Sequence, residues 1–272
     1  MTSPVIDHVQ YDGSKLLWRG PRRDLDGAFI ACLGGTDTFA SQIAEPYPDV
    51  LESALGVTCV NFGLPNAGID VFLGDAALID CASRSAACVL QVPNAINMTN
   101  LYYRVHPRRN DRVLEATDAM RALFPGVDFA RFSFTRHMLT VLRRNFPEPF
   151  AYLQRELATV WVSGMTDLLG QIDAPVVLLW LSPRRPEERD DRPDLYADPA
   201  LVSRAMLDAV RDHAKGFVEV CVPSDIHDAQ DRQPVTLTSE VHATTALNLQ
   251  PEITRILETQ EGPPVRAGLP IP

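Results

Sequence analysis

Five short apolar runs recur along the chain, each followed by a stretch with helical periodicity, and this alternation restricts the fold more than any other feature. The runs are residues 28–33 (AFIACL), 57–62 (VTCVNF), 87–92 (ACVLQV), 175–181 (PVVLLWL) and 217–222 (FVEVCV). Most are β-rich and nearly continuous rather than alternating, which suits parallel strands covered on both faces. Between them, residues 41–55, 71–85, 150–172 and 199–214 read as helices, and residues 241–258 follow the last run. The longest carries Leu153, Leu157, Val160, Trp161, Leu168 and Leu169 near helical spacing. Such a pattern predicts βαβ units and a three-layer α/β/α, doubly wound parallel five-stranded sheet. Right-handed crossovers favour the strand order 2-1-3-4-5, with a ligand crevice at the carboxyl ends of strands one and three.

Composition supports a sizeable core: of 272 residues, 46% are hydrophobic and 22% charged. A single domain is expected over residues 1–258, followed by a proline-rich tail at 259–272 that cannot continue a helix. The net charge of −10 gives nucleic-acid binding no electrostatic basis. No apolar run approaches the roughly 18 residues of a membrane span. The first residues lack a basic start followed by an apolar core, so a cytoplasmic location is expected. Cys32, Cys59, Cys81, Cys88 and Cys221 have no C-x-x-C spacing and read as small buried hydrophobes in a reducing compartment. All but two of the 25 basic residues are arginine, whose forked donors suit carboxylate, phosphate or sulfate partners.

One connection is abnormally long. Residues 93–174 separate strands three and four, where a dozen or so would suffice for a crossover. This insertion must hold at least two extra helices and a polar excursion, residues 94–112. It either shapes substrate access beside the crevice or forms a structural elaboration or homo-oligomer contact. A charged, proline-rich stretch at 183–198 reads as a surface loop.

The chemistry-bearing residues follow strand ends or open the last helix. After strand one, Gly34 and Gly35 permit a sharp turn, and Thr36, Asp37 and Thr38 emerge at a helix start. Thr36 or Thr38 is a nucleophile if a base reaches it; otherwise these are ordinary caps. After strand two come Gly63, Asn66 and Gly68, with amides able to donate to an oxyanion, or simply a turn with asparagine in the left-handed region. The pattern is not G-x-G-x-x-G, which excludes a dinucleotide fingerprint, and no cofactor is expected. After strand three, Asn94, Asn97 and Asn100 share a three-residue spacing that would place them on one face of a helical turn. His106, Arg108 and Arg109 follow, so a polar cleft for a hydroxylated or anionic ligand competes with a network that merely orders the loop. His242, before the last helix, is a candidate general base, with Glu240 or Asp225 to orient it and His227 as a rival. His137 sits in a helical pattern and reads as structural. No spacing suggests a metal site.

Taken together, these blocks resemble a divergent member of the SGNH (GDSL-like) hydrolase superfamily, which has a flavodoxin-like fold. Residues 33–38 resemble its G-D-S turn, with Gly35 in place of the acid and Thr36 in place of serine. Asn66 falls where its second-block glycine is expected, and residues 93–97 replace G-x-N-D, leaving Asn94 or Asn97 as oxyanion donors. His242 matches the family histidine, while Ser239 occupies the site of its aspartate. More closely, residues 33–39 (LGGTDTF), 97–100 (NMTN), 106–112 (HPRRNDR) and 134–137 (FTRH) resemble a bacterial domain family of unknown function. That likeness implies no activity, and it suggests that the polar insertion belongs to the group's own site.

Three functions follow as expectations. The first is an SGNH-like ester hydrolase or O-acyltransferase on a small ester or glycan, with Thr36 attacking and His242 taking its proton. The second is an inactive scaffold that binds a carbohydrate or anion through residues 94–112. The third is a sulfo- or phosphoryl-transfer enzyme using the helix start at residues 34–38.

Overall fold

The computed structural model describes residues 4–188, 195–222 and 237–261. A two-stranded antiparallel ribbon, β1 (His8–Val9) and β2 (Trp18–Arg19), precedes the main sheet. The sheet strands are β3 (Phe29–Gly34), β4 (Thr58–Gly63), β5 (Ala87–Gln91), β8 (Val176–Ser182) and β9 (Gly216–Cys221). Their order is β4-β3-β5-β8-β9 and every pairing is parallel, which is the expected 2-1-3-4-5 arrangement. Each strand lies within a residue or so of its apolar run.

The continuous hydrophobicity of the runs has a direct cause. Phe29, Ala31 and Leu33 of β3 enter one core, while Ile30 and Cys32 enter the other. Both faces are therefore buried, as parallel sheets require. One face is covered by α2 (Tyr47–Leu55) and α9 (Ser239–Glu261), through Tyr47, Leu51, Leu249 and Ile253. The other is covered by α3 (Ile69–Leu73), α4 (Ala76–Arg84), α7 (Pro147–Gln171) and α8 (Arg204–Val210). The stripe predicted for α7 is buried at Leu153, Leu157, Trp161 and Leu168.

The long insertion is more than helices. Its polar excursion contains the antiparallel hairpin β6 (Tyr103–His106) and β7 (Arg109–Ala116), then α5 (Asp118–Leu123) and α6 (Thr135–Asn145). Residues 94–100 form a bent loop rather than the expected helical face. Four cysteines are buried as expected, but Cys221 at the end of the edge strand β9 is exposed. The loop after β8 is also not a simple surface loop where described. Arg184 is buried and donates to the carbonyls of Pro199 and Val202, at 2.7 Å each. Leu195 is buried as well. Among the described residues no helix is long and apolar enough to cross a membrane.

Candidate active site

The turn after β3 leads into α1 (Thr36–Phe39), a single helical turn ended by Ala40 in the left-handed region at φ 50°. So short a helix has little macrodipole, so the expected anion site at a helix start loses its physical basis. The turn is held instead by Gln91, at the carboxyl end of the neighbouring strand β5. Gln91 Oε1 accepts from Gly35 N (3.1 Å), Thr38 N (3.2 Å) and Thr38 Oγ1 (2.7 Å). Thr38 thereby spends its only hydroxyl proton, so the buried Tyr47 hydroxyl donates to Thr38 Oγ1 at 3.2 Å. Three donors fix the Gln91 amide orientation, and its Nε2 donates to Asp37 Oδ2 at 3.0 Å. From below, the buried Arg19 guanidinium donates to the carbonyls of Phe39, Ala40, Ile43 and Ala44. Thr38 is thus a buried splint rather than a nucleophile.

Close approach explains the second turn. A Cβ on Gly63 would lie 2.3 Å from Phe39 N, and one on Gly68 would lie 1.7 Å from Asn97 O. Gly63 therefore serves backbone packing and not ligand binding. Asn66 takes the left-handed conformation at φ 57°, which asparagine tolerates. Its N–H donates to Thr36 Oγ1 at 3.0 Å. The insertion holds this turn in place. Asn97 Nδ2 donates to Asn66 O at 3.0 Å, and Thr135 Oγ1 donates to Asn97 Oδ1 at 2.6 Å. Asn110 Oδ1 accepts from Gly68 N (2.9 Å) and Val71 N (3.1 Å). Asn94 Oδ1 accepts from Ile96 N and Asn97 N, which leaves its amide NH2 without a protein partner among the described residues.

His242 lies in the first turns of α9 and is only 1% exposed. Its Nδ1 accepts from Tyr47 N at 3.1 Å, and its ring stacks on that of Tyr47. Because Nδ1 is an acceptor, the neutral imidazole carries its proton on Nε2. Burial, and then the nearby Arg19 charge, lower its pKa to about 4. Among the described residues no hydrogen bond joins His242 to Thr36. Glu240 is exposed and does not orient the ring, because the nitrogen it would address is occupied by Tyr47 N–H. Asp225 and His227 lie outside the described residues.

A second charged group closes the site. Arg136 of α6 donates to both oxygens of Asp198, at 2.8 and 2.7 Å, and also to Leu195 O. Ser182 Oγ donates to Asp198 O at 2.7 Å. Asp37 lies near this pair. Burial pushes its pKa up to about 7, with the Asp198 charge adding to the rise and the Gln91 bond and Arg136 opposing it.

These groups surround one cavity of about 240 Å³ at the carboxyl ends of the strands, lined by Gly35, Thr36, Asp37, Asn66, Asn94, Asp198 and His242 among others. The expected crevice position is therefore where these groups meet. Several expected residues are elsewhere. Asn97 donates to Asn66 O, supporting that turn, and does not line the cavity. Asn100 caps the start of the hairpin by accepting from Tyr102 N and Tyr103 N. His106 accepts from Arg108 N at the hairpin turn, and Arg108 and Arg109 are exposed there, outside the cavity lining. His137 is exposed, with its ring against Phe132.

Sequence reasoning missed Gln91, Tyr47, Arg136 and Asp198. Gln91 had a local signal, a polar residue at the carboxyl end of an apolar run. The others had none, since their partners are distant in sequence. Among the described residues no group of three or more His, Cys, Asp or Glu side chains is placed to share a metal ion.

A family model described as a domain of unknown function (DUF6473) matches residues 2–258. A search of curated proteins finds no match. Among solved structures, the chain is similar to a carbohydrate esterase family 2 enzyme with a carbohydrate-binding domain from Corynascus thermopiles (Myceliophthora fergusii). The identity there is 14%, covering 88% of this chain and 69% of that one, with a TM-score of 0.48. It is also similar to a lipase/acylhydrolase from Enterococcus faecalis, at 12% identity, 84% and 96% coverage and a TM-score of 0.45. A catalytic mutant of an acetylxylan esterase from Geobacillus stearothermophilus matches at 12% identity, 84% and 94% coverage and a TM-score of 0.42.

Proposed function

The chain belongs to the DUF6473 family, and we propose that it is an ester hydrolase or O-acyltransferase acting on a small ester or a glycan O-acyl group. One observation carries this reading. Thr36, Asn66 and Asn94 line one cavity, in which the Asn66 N–H is bonded to the Thr36 hydroxyl. A hydroxyl beside preorganised donors is what addition to an acyl carbon requires, because negative charge develops on the carbonyl oxygen as the new C–O bond forms. In this reading Thr36 Oγ1 attacks, Asn94 Nδ2 holds the oxyanion, and Asn66 N–H, bonded to Thr36 Oγ1 in the free site, turns to the carbonyl oxygen as the substrate enters. His242, with its proton on Nε2, stands as a further neutral donor.

The two rival readings have less support. A binding scaffold built on residues 94–112 would use His106, Arg108 and Arg109, which do not line the cavity. A sulfo- or phosphoryl-transfer site would rest on α1, which is one turn long.

A panel of acetyl and short-chain acyl esters, including acetylated oligosaccharides, tests the proposal. Turnover should fall about 100-fold or more in Asn94→Ala, the usual loss when one oxyanion donor is removed. Thr36→Ala should abolish it. Turnover that is equal in wild type and Thr36→Ala would remove the assignment.

A further inference from the structure

We infer that Asp37 is the general base and acid of this site, and that His242 serves beside it only as a neutral hydrogen-bond donor. This inference rests on the ester-hydrolysis reading and deepens it by naming the group that moves the proton.

The argument starts from which lone pairs are free. His242 Nδ1 is occupied by Tyr47 N–H, so Nε2 carries a proton and has no lone pair to offer. Moving that proton to Nδ1 would leave the Tyr47 N–H without its acceptor in a buried place, which is costly. Two carboxylates line the cavity among the described residues, Asp37 and Asp198. Both oxygens of Asp198 are taken by Arg136, and Oδ1 also accepts from Ala200 N. Asp37 is held by one oxygen only, Oδ2, through Gln91 Nε2, which leaves Oδ1 free of protein partners among the described residues. Gln91 is itself locked by three donors, so this carboxylate is positioned and not loose. Thr36 and Asp37 are consecutive on the single turn of α1 and both line the cavity, with no direct hydrogen bond between them among the described residues. Because Thr36 Oγ1 accepts from Asn66 N–H, its own proton is directed elsewhere. Asp37 takes that proton directly or through one water.

The charged and titratable groups around Asp37 are Asp198 and Arg136 on the insertion side, with Arg19, Tyr47 and His242 around the α1 turn. Burial and Asp198 bring Asp37 to about 7, where a carboxyl group can both accept and return a proton near neutral pH. The steps balance as follows. Asp37 removes the Thr36 hydroxyl proton as the Oγ1–carbon bond forms and the carbonyl electron pair moves onto oxygen. Collapse breaks the bond to the leaving alkoxide, which receives the proton from Asp37. Water then loses a proton to Asp37 as it attacks the acyl-Thr36 ester. A second collapse frees the acid, and Asp37 returns the proton to Thr36 Oγ1.

The test uses the whole chain, an alkyl fluorophosphonate and intact-mass detection between pH 5 and 9, with turnover of the best ester from the panel in parallel. Labelling forms the Oγ1–phosphorus bond and expels fluoride. Wild-type labelling at Thr36 should accelerate through about pH 7. Asp37→Asn should slow it about 100-fold or more and abolish that rise, while Asp37→Glu restores part of it. His242→Gln should be slower but keep the rise, a readout that does not depend on how Asp37→Asn folds. Asp37→Asn reacting like wild type, or the rise vanishing in His242→Gln instead, would overturn the inference alone. A wild-type chain that neither labels at Thr36 nor turns over an ester would overturn the ester reading and this inference with it.

Discussion

The main-chain N–H of Tyr47 donates to His242 Nδ1 at 3.1 Å, and that bond decides which nitrogen of the imidazole carries the proton. In a Ser-His-Asp triad a carboxylate occupies this place and holds the opposite tautomer, which leaves Nε2 free to accept. Here a donor replaces the acceptor, and Nε2 carries the proton. A neutral imidazole used as an electrophile has precedent among enzymes.

Nitrogen NMR of ring-labelled protein should show His242 neutral and protonated at Nε2 from pH 5 to 8. Its pKa drops from 6.5 to about 4, so between those values the unfolded chain binds a proton that the folded chain does not. Stability should therefore rise with pH across this window and fall on acidification, by up to about 3 kcal/mol. Urea unfolding at pH 4.5 and 7 should show a smaller difference in His242→Gln than in wild type.

Asp37 has the opposite sign. Its pKa rises from 3.8 to about 7, so the folded chain keeps a proton that the unfolded chain releases. The associated stability is present at low pH and lost as pH climbs through that window. Asp37→Asn should raise stability at pH 8 by on the order of 2 kcal/mol and have little effect at pH 4. Thermal unfolding at the two pH values measures this.

Gln91→Leu removes the acceptor for Gly35 N, Thr38 N and Thr38 Oγ1 together. Orphaned buried donors cost about 1–3 kcal/mol each where no water replaces the partner. A loss of roughly 2–4 kcal/mol in urea unfolding is expected, with a larger fall in ester turnover than in stability because Asp37 loses its support.

Asn110→Ala leaves Gly68 N and Val71 N without their acceptor, and should cost about 1–3 kcal/mol. It should also weaken turnover by loosening the Asn66 turn. Arg108→Ala with Arg109→Ala should leave turnover within about twofold, because surface changes away from a site have small effects. Equal damage from both changes would mean that the hairpin tip reaches the substrate.

The fold was largely readable from residues 28–33, 57–62, 87–92, 175–181 and 217–222, because burial on both faces writes itself into continuous hydrophobicity within a short window. Thr36, Asp37, Asn66 and Asn94 were readable for a related reason: they follow strand ends, and strand ends in a doubly wound sheet converge. Local pattern does not specify which residues of the insertion reach the site and which only support it. Asn97 and Asn110 brace the second turn, while Arg108 and Arg109 stand outside the cavity.

Periodicity and turn chemistry are local properties, and the chain alone determined what they govern: the strands, their order, and the turns that meet at the crevice. Tertiary structure decided the chemistry of that crevice. Thr38 and Gln91 are 53 residues apart, Arg136 and Asp198 are 62 apart, and Tyr47 and His242 are 195 apart. Whether a histidine faces a carboxylate or a main-chain N–H depends on such encounters, and a proton's position follows its nearest partner in space, whatever the distance along the chain.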